Sequence, residues 1–265
     1  MATDLWLNIY LTHSVSHNLI LELNGNDFTI ATVKKDGLVV NLKFYPLVDQ
    51  AIMEGVLVEL PEIYSDVTLL IRKKDFITLP ESFFTSNISE IYKLNYIISE
   101  GDRVWLDKLD NGLGIAYAID VAIADVTAAK FPRIKIIHEA TVILKKLFKE
   151  VNFKEPKIII SINTGSLIIY AIKDGKLLIC NSFQAKSNDD IFYFVMLTVE
   201  QLHFLPAETE LVILGEPPMR AEIFELFKNY IKEINIWMED YQFSPEIKNT
   251  ELLAYSFALQ TLICE

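Results

Sequence analysis

Glycine is scarce in this sequence. Nine of 265 residues are Gly, about 3.4%, roughly half of ordinary usage. Loops that wrap phosphate with backbone N–H groups rely on Gly for close approach, so a glycine-rich phosphate cradle is not expected. Cysteine is limited to Cys180 and Cys264, too few for a disulfide framework, and a reducing cytoplasm is the expected home. Four His leave little material for a metal site, and none is expected. Positive charge is also short. With 24 Lys+Arg against 36 Asp+Glu the net charge is −12, shared as −8 over residues 1–130 and −4 over 131–265. No acidic tail hides a basic domain, which argues against nucleic acid or an anionic membrane surface as the ligand. Residues 1–17 lack a basic n-region and a small-residue cleavage site, so no signal peptide is expected. The longest apolar run, 191–199, is too short to span a bilayer.

What is present is core material: 51% of the residues are apolar and 11% aromatic, which excludes disorder. The chain also repeats itself. From Leu19 it reads LILELNGNDFTIATVKKDGLVVNLKFY, and from Ile158 it reads IIISINTGSLIIYAIKDGKLLICNSF. Each segment is an apolar strand, a polar turn, a second strand, an Asp-Gly turn and a third strand. Asn24 falls on Asn163, Ile30 on Ile169, Lys34 on Lys173, and Asp36-Gly37 on Asp174-Gly175. Asp-Gly marks a hairpin, because a type I′ turn requires positive φ. Identity between the copies is low, and chance likeness of two β-meanders is the alternative to a duplication.

The order of elements continues in parallel. The first copy is expected to add a short helix at 48–58, strand 67–71, helix 121–130, strand 134–137 and helix 139–150. That last helix turns Ala140, Ile143, Leu144, Leu147 and Phe148 inward and Lys145, Lys146 and Lys149 outward. In the second copy Ser187-Asn188-Asp189 caps a helix over 189–203. Strand 211–214, helix 219–231 with Ile223, Phe227, Tyr230 and Ile231 on one face, strand 234–237 and a helix near 249–262 follow. Residues 72–119 stand outside the repeat. Of these, 72–100 are irregular and aromatic, an insertion or partner-facing segment, and 102–119 form a hairpin turning at Asp110-Asn111-Gly112. VNFKEP at 151–156 breaks the pattern, which places one lobe at 1–151 and the other at 152–265.

This α/β order, βββαβαβα given twice, resembles two tandem ribonuclease-H-like lobes, the actin-like ATPase architecture of actin, heat-shock chaperones and sugar kinases. The second half also resembles an uncharacterised bacterial domain family of actin-like fold. The residues carrying that likeness are Lys173 to Leu177, Asn181-Ser182-Phe183, Phe192-Tyr193-Phe194, Glu200-Gln201-Leu202 and Leu214-Gly215-Glu216.

The resemblance implies where chemistry would sit. The first phosphate loop of the superfamily falls in the turn Glu22-Leu23-Asn24-Gly25-Asn26-Asp27, where Glu22 stands at the position of a metal-facing Asp and the Gly is displaced to Gly25. The second falls at Ser161-Ile162-Asn163-Thr164-Gly165-Ser166. There Ser161 replaces the expected carboxylate, and Gly165 alone remains of a Gly run. The adenosine loop becomes Leu214-Gly215-Glu216-Pro217-Pro218, in which two prolines remove donors. Phosphate binding requires donors and close backbone approach, and phosphoryl transfer requires a carboxylate–Mg²⁺ site. All three loops depart together. The expectation is a fold without catalysis and without a resident cofactor. The alternative is an ATP- and Mg-binding ATPase or kinase with atypical loops, in which Glu22 or Asp27 supplies the carboxylate. If nucleotide binds, Glu22, Asn24, Gly25, Asn26, Asn163, Thr164, Gly165, Ser166 and Gly215 are the candidates.

Other candidates point the same way. His13 and His17 share i, i+4 spacing, but no Glu follows His13, no helix pattern surrounds the pair, and no Cys or third His stands nearby. His138 lies at a strand-to-helix junction, where capping or packing is expected, and His203 ends a helix, where a cation suits the dipole. Cys180 reads as a buried small hydrophobe. Arg72-Lys73-Lys74 reads as a solvated strand end, with anion binding as the alternative. The helix over 189–203 is apolar nearly all round, from Ile191 to Val199. Burial between the sheet and an interlobe helix is the main reading, and a partner or subunit interface the other. Phe76, Phe83, Phe84, Ile88, Ile91, Tyr92 and Tyr96 offer a second candidate surface. The sequence therefore points to a binding or scaffold role, with a protein partner or a second copy of the chain on the other side.

Overall fold

The computed structural model describes residues 17–25, 27–46, 50–149, 154–163, 165–214, 217–237, 242–245 and 247. Two sheets of the same plan organise the chain. The first carries β1 His17–Asn24, β2 Asp27–Lys34, β3 Leu38–Tyr45, β4 Asp66–Arg72 and β8 Lys135–His138 in the order β3-β2-β1-β4-β8. The second carries β9 Lys157–Asn163, β10 Ser166–Lys173, β11 Lys176–Gln184, β12 Glu210–Leu214 and β13 Glu233–Ile236 in the order β11-β10-β9-β12-β13. In each, the first three strands form an antiparallel meander and the remaining two run parallel to the first. Central strands β1 and β9 are buried along almost their whole length, which is why they read as near-continuous apolar runs. After the second sheet the chain returns, and β14 Gln242–Phe243 joins β3 in parallel.

Helices α1 Gln50–Val58, α3 Val121–Lys130 and α4 Glu139–Lys149 belong to the first sheet's half of the chain. Helices α5 Asn188–Gln201 and α6 Pro217–Phe227 belong to the second. Ala140, Ile143, Leu144 and Leu147 of α4 share one core with Leu19, Leu21 and Leu69 of the first sheet and with Ile159, Ile168, Tyr170 and Leu214 of the second. The opposite face of the second sheet, Ile158, Ile160, Leu167 and Ile169, forms a separate core with α5 and α6. The second sheet is thus buried on both faces.

Residues between β4 and α3 build a third, antiparallel sheet of β5 Phe76–Pro80, β6 Asp102–Lys108 and β7 Leu113–Asp120, with the short helix α2 Ile88–Lys93. The expected hairpin at Asp110-Asn111-Gly112 is there, with Gly112 at φ 80°. The expectation of an irregular segment over 72–100 is corrected, since β5 pairs with β7 along its length. Its aromatics are not one surface. Phe76 and Tyr92 are buried, and the Tyr92 hydroxyl donates to the Asp75 carbonyl at 2.9 Å. Phe76 joins the first core and packs against His138.

Other local signals translate directly. Ser187 Oγ accepts from Asp190 N and the Asp190 carboxylate accepts from Ser187 N, a complete capping box for α5. Asp174 and Gly175 both have positive φ, as a type I′ turn requires, whereas at Asp36-Gly37 only Gly37 does. Helix α5 is covered by the sheet, by Phe227 and Tyr230 against Phe192, and by Phe183 of β11 stacked on Phe194 at 4.7 Å. Its cover is therefore α6 and β11 rather than an interlobe helix. Tyr193 stays 59% exposed, and Tyr230, expected on one face with Ile223, Phe227 and Ile231, is 54% exposed while those three are buried. The helix expected near 249–262 and the residue His13 lie outside the described residues.

Candidate functional site

The two sheets meet at the C-terminal end of β1 and β9, where each chain turns into its second strand. Glu22 interrupts the apolar β1 run LILEL, and a buried carboxylate in such a strand requires a partner. Arg72, the last residue of the neighbouring β4, supplies it, with Nη1 3.2 Å from Glu22 Oε1. The same guanidinium places Nε 3.3 Å from Oε2 of Glu139, the first residue of α4. Ser161 of β9 donates from Oγ to the same Glu139 oxygen at 3.3 Å. Glu22, Arg72, Glu139 and Ser161 are 3%, 6%, 2% and 1% exposed, so the group is closed to bulk water.

One guanidinium faces two carboxylates in this group. Burial works against the Arg72 charge, yet Glu139 and Glu22 together hold its pKa above the ordinary guanidinium value. Burial pushes the Glu139 carboxyl up, and Arg72 only partly offsets that. Tyr170 of β10 is fully buried beside the group, in the field of Cys180, Glu139 and Arg72, and its hydroxyl has no hydrogen-bond partner among the described residues.

Above the group the two turns are joined. Asn24 Nδ2 donates to Asn163 Oδ1 at 3.0 Å, and Asn163 Nδ2 donates to Asn24 Oδ1 at 2.7 Å. Gly25 and Gly165 stand in the same turns, each at positive φ (60° and 73°) with no crowding among the described residues where a Cβ would stand, so backbone conformation explains both glycines. Ser166 is buried at the start of β10, opposite Asn163. Glu22, Asn24, Asn163 and the two glycines are thus gathered at one junction. Asn26, Thr164 and Gly215 lie outside the described residues.

The sequence matches the family described as Protein of unknown function (DUF3822) over residues 8–234. The chain belongs to that family. A crystal structure from Bacteroides thetaiotaomicron VPI-5482, titled a protein with actin-like ATPase fold and unknown function, is similar to this DUF3822 chain with TM-score 0.73 and 21% identity, over 92% of this chain and 96% of that one. This fold is the duplicated one that the strand orders describe. Weaker likenesses include a PilM-PilN type IV pilus biogenesis complex (TM-score 0.48, 12% identity, 93% and 97% covered). The ethanolamine utilization protein EutJ of Carboxydothermus hydrogenoformans is another (0.44, 10%, 88% and 91%). No curated protein matches the chain in sequence.

An actin-like fold implies magnesium and a nucleotide between the lobes, and the described residues of this junction do not fit the metal. A metal-binding carboxylate must turn its oxygens to the ion, whereas Glu22 and Glu139 already turn theirs to a buried cation. Ser161 brings a hydroxyl in place of a second-lobe carboxylate and gives it to Glu139. The first polar side chain of each turn is committed to the other turn. Among the described residues no group of three or more His, Cys, Asp and Glu could hold a metal, and no helix is long and apolar enough to cross a membrane.

Two members of the junction escaped sequence reasoning. Arg72 is not a solvated strand end. It is buried, whereas Lys73 beside it is partly exposed, with Nζ 3.3 Å from Asp102 Oδ2, and Lys74 is exposed. Glu139 read only as the start of a helix. The one available signal was Glu22 itself, a charge in a strand that is otherwise apolar.

A second polar network holds the third sheet in place. His138, fully buried between Phe76 and Tyr117, presents Nε2 to the Lys73 carbonyl at 2.7 Å and accepts from Ala140 N at Nδ1, capping α4. Burial lowers its pKa to about 4, so the ring is neutral, with its proton on Nε2. The Asp107 carboxylate of β6 accepts from His138 N, Thr141 Oγ1 and Tyr117 Oη. These bonds tie β6 and β7 to the β8–α4 junction. On the other side Thr78 of β5 donates to the Cys180 carbonyl of β11 at 3.3 Å, so the third sheet touches both main sheets.

Proposed function

We propose that this DUF3822 protein is a cytoplasmic, non-catalytic member of the actin-like fold that works by binding another protein. The observation that carries this reading is the junction of the two turns. Asn24 and Asn163 bond each other, and Arg72 supplies the positive charge between Glu22 and Glu139, where phosphoryl chemistry would require a metal and free donors. The exposed band on the outer side of the second sheet supports a partner-binding role. Tyr193 projects from α5 and Tyr230 from the turn after α6, continuous with Phe192, Phe194 and Phe183. Aromatic residues of this kind are enriched at protein interfaces.

Photo-crosslinking from position 193 in the native host tests the reading, with a probe at exposed Asp36 as control. A defined protein adduct at 193 that is absent at 36 is expected. Identical adducts at both positions, or ATP hydrolysis by the purified chain that is lost in Glu22→Gln, would contradict it.

A further inference from the structure

We infer that Arg72 is a tethered stand-in for a divalent metal ion, and that removing its guanidinium opens a site for a hard, oxygen-loving cation such as Mn²⁺. This rests on the reading above that the junction does not take a magnesium nucleotide.

The argument starts from what surrounds the guanidinium. Glu22 arrives from β1 and Glu139 from the start of α4, on elements otherwise unrelated in sequence, and both carboxylates converge on one group. Ser161 adds a hydroxyl bonded to Glu139, and Tyr170 adds a buried hydroxyl with no partner among the described residues. Two carboxylates with the Ser161 hydroxyl beside them are hard oxygen donors, which suit Mg²⁺ or Mn²⁺ better than a soft metal. The feature that keeps such an ion out is the charge already there. Two buried carboxylates without a cation would be strongly disfavoured, so the site cannot stand empty.

A tethered cation and an ion differ in one respect that matters. An ion exchanges with solvent and brings phosphate with it, whereas Arg72 is delivered by β4 and remains. The two halves are therefore joined at this point without dependence on ligand. That suits a protein whose shape is presented to a partner and not cycled by nucleotide.

The test is Mn²⁺ titration of the full chain, followed by electron paramagnetic resonance and by thermal unfolding. Arg72→Met is expected to bind one Mn²⁺ per chain that the wild type does not, and its unfolding midpoint is expected to rise as Mn²⁺ is added. Adding Glu22→Gln or Glu139→Gln to Arg72→Met is expected to weaken that binding by at least about 10- to 100-fold, the loss that follows when even a group supporting a ligand is removed. If Arg72→Met does not fold alone, recovery of its native circular dichroism on adding Mn²⁺ is the same positive result. An Arg72→Met chain that gains no Mn²⁺, or that Mn²⁺ does not return to the native fold, overturns the inference. So does a wild-type chain that binds Mn²⁺ in a Glu22-dependent way. A failure here leaves the nucleotide question separate, because that is read on the wild type with Mg-ATP.

Discussion

Asn24 and Asn163 stand 139 residues apart and exchange both hydrogen bonds of an amide pair across the junction of the two sheets. They occupy equivalent positions in the two copies of the meander, so the duplicated plan brings like to like. A double-mutant cycle of Asn24→Ala and Asn163→Ala is expected to give a coupling of about 0.5–1.5 kcal/mol in urea unfolding, the usual worth of intramolecular hydrogen bonds. Additive losses would mean that the amides do not act as a pair.

Stability is expected to fall as pH drops from about 6.5 through about 4 on account of His138. Its folded pKa is depressed by burial, so its contribution is complete above the unfolded value and is lost as pH falls toward the folded one. Asp107, which faces it, has a carboxyl pushed up by burial and works in the opposite direction. Lys73, Tyr117 and Glu139 complete the titratable surroundings. His138→Asn retains an acceptor for Ala140 N and removes the ring, so the difference between the two pH profiles isolates the His138 part. Parallel profiles for wild type and variant would refute this account.

The ends of α5 carry opposite expectations. Ser187→Ala removes the acceptor for Asp190 N and is expected to cost about 1 kcal/mol. At the other end His203 sits at φ 53°, with Phe204 N bonded to the Val199 carbonyl and His203 N to the Glu200 carbonyl, a Schellman arrangement in which Gly is the favoured residue. His203→Gly is expected to raise stability by about 1 kcal/mol, since a left-handed conformation costs an L-residue roughly that much. Thermal unfolding of the two variants measures both.

Gly114 in β7 is required by crowding. A Cβ there would meet Phe84 Cε1 at 2.6 Å and Leu106 Cδ1 at 2.9 Å. Gly114→Ala is expected to destabilise by about 1–3 kcal/mol, the cost of overpacking. Gly25→Ala meets no neighbour, and its cost should come only from positive φ.

The fold was legible because its signals are local. Apolar runs, the Asp-Gly turns and the Ser187 cap each specify an element from a few residues, and the repeat of their order specifies the architecture. The junction was only partly legible. Glu22, Asn24, Asn163 and Ser161 were singled out through their place in the turns. Arg72 meets Glu139 across 67 residues, and nothing near either residue in sequence announces the other. The same holds for Phe76 and Tyr92, whose neighbourhood reads as irregular until β7 arrives to pair with β5. Long-range pairing decides burial at such positions.

Thermal unfolding of the wild type with and without millimolar Mg-ATP tests the central claim most directly. The account expects no change in the midpoint, because Arg72 and the Asn24–Asn163 pair already satisfy the groups that a nucleotide would use. A ligand present at about 100 times its dissociation constant adds roughly 2.7 kcal/mol, which for a chain of this size raises the midpoint by about 5–10 °C. A rise of that order would show that the junction opens to nucleotide and would contradict the account.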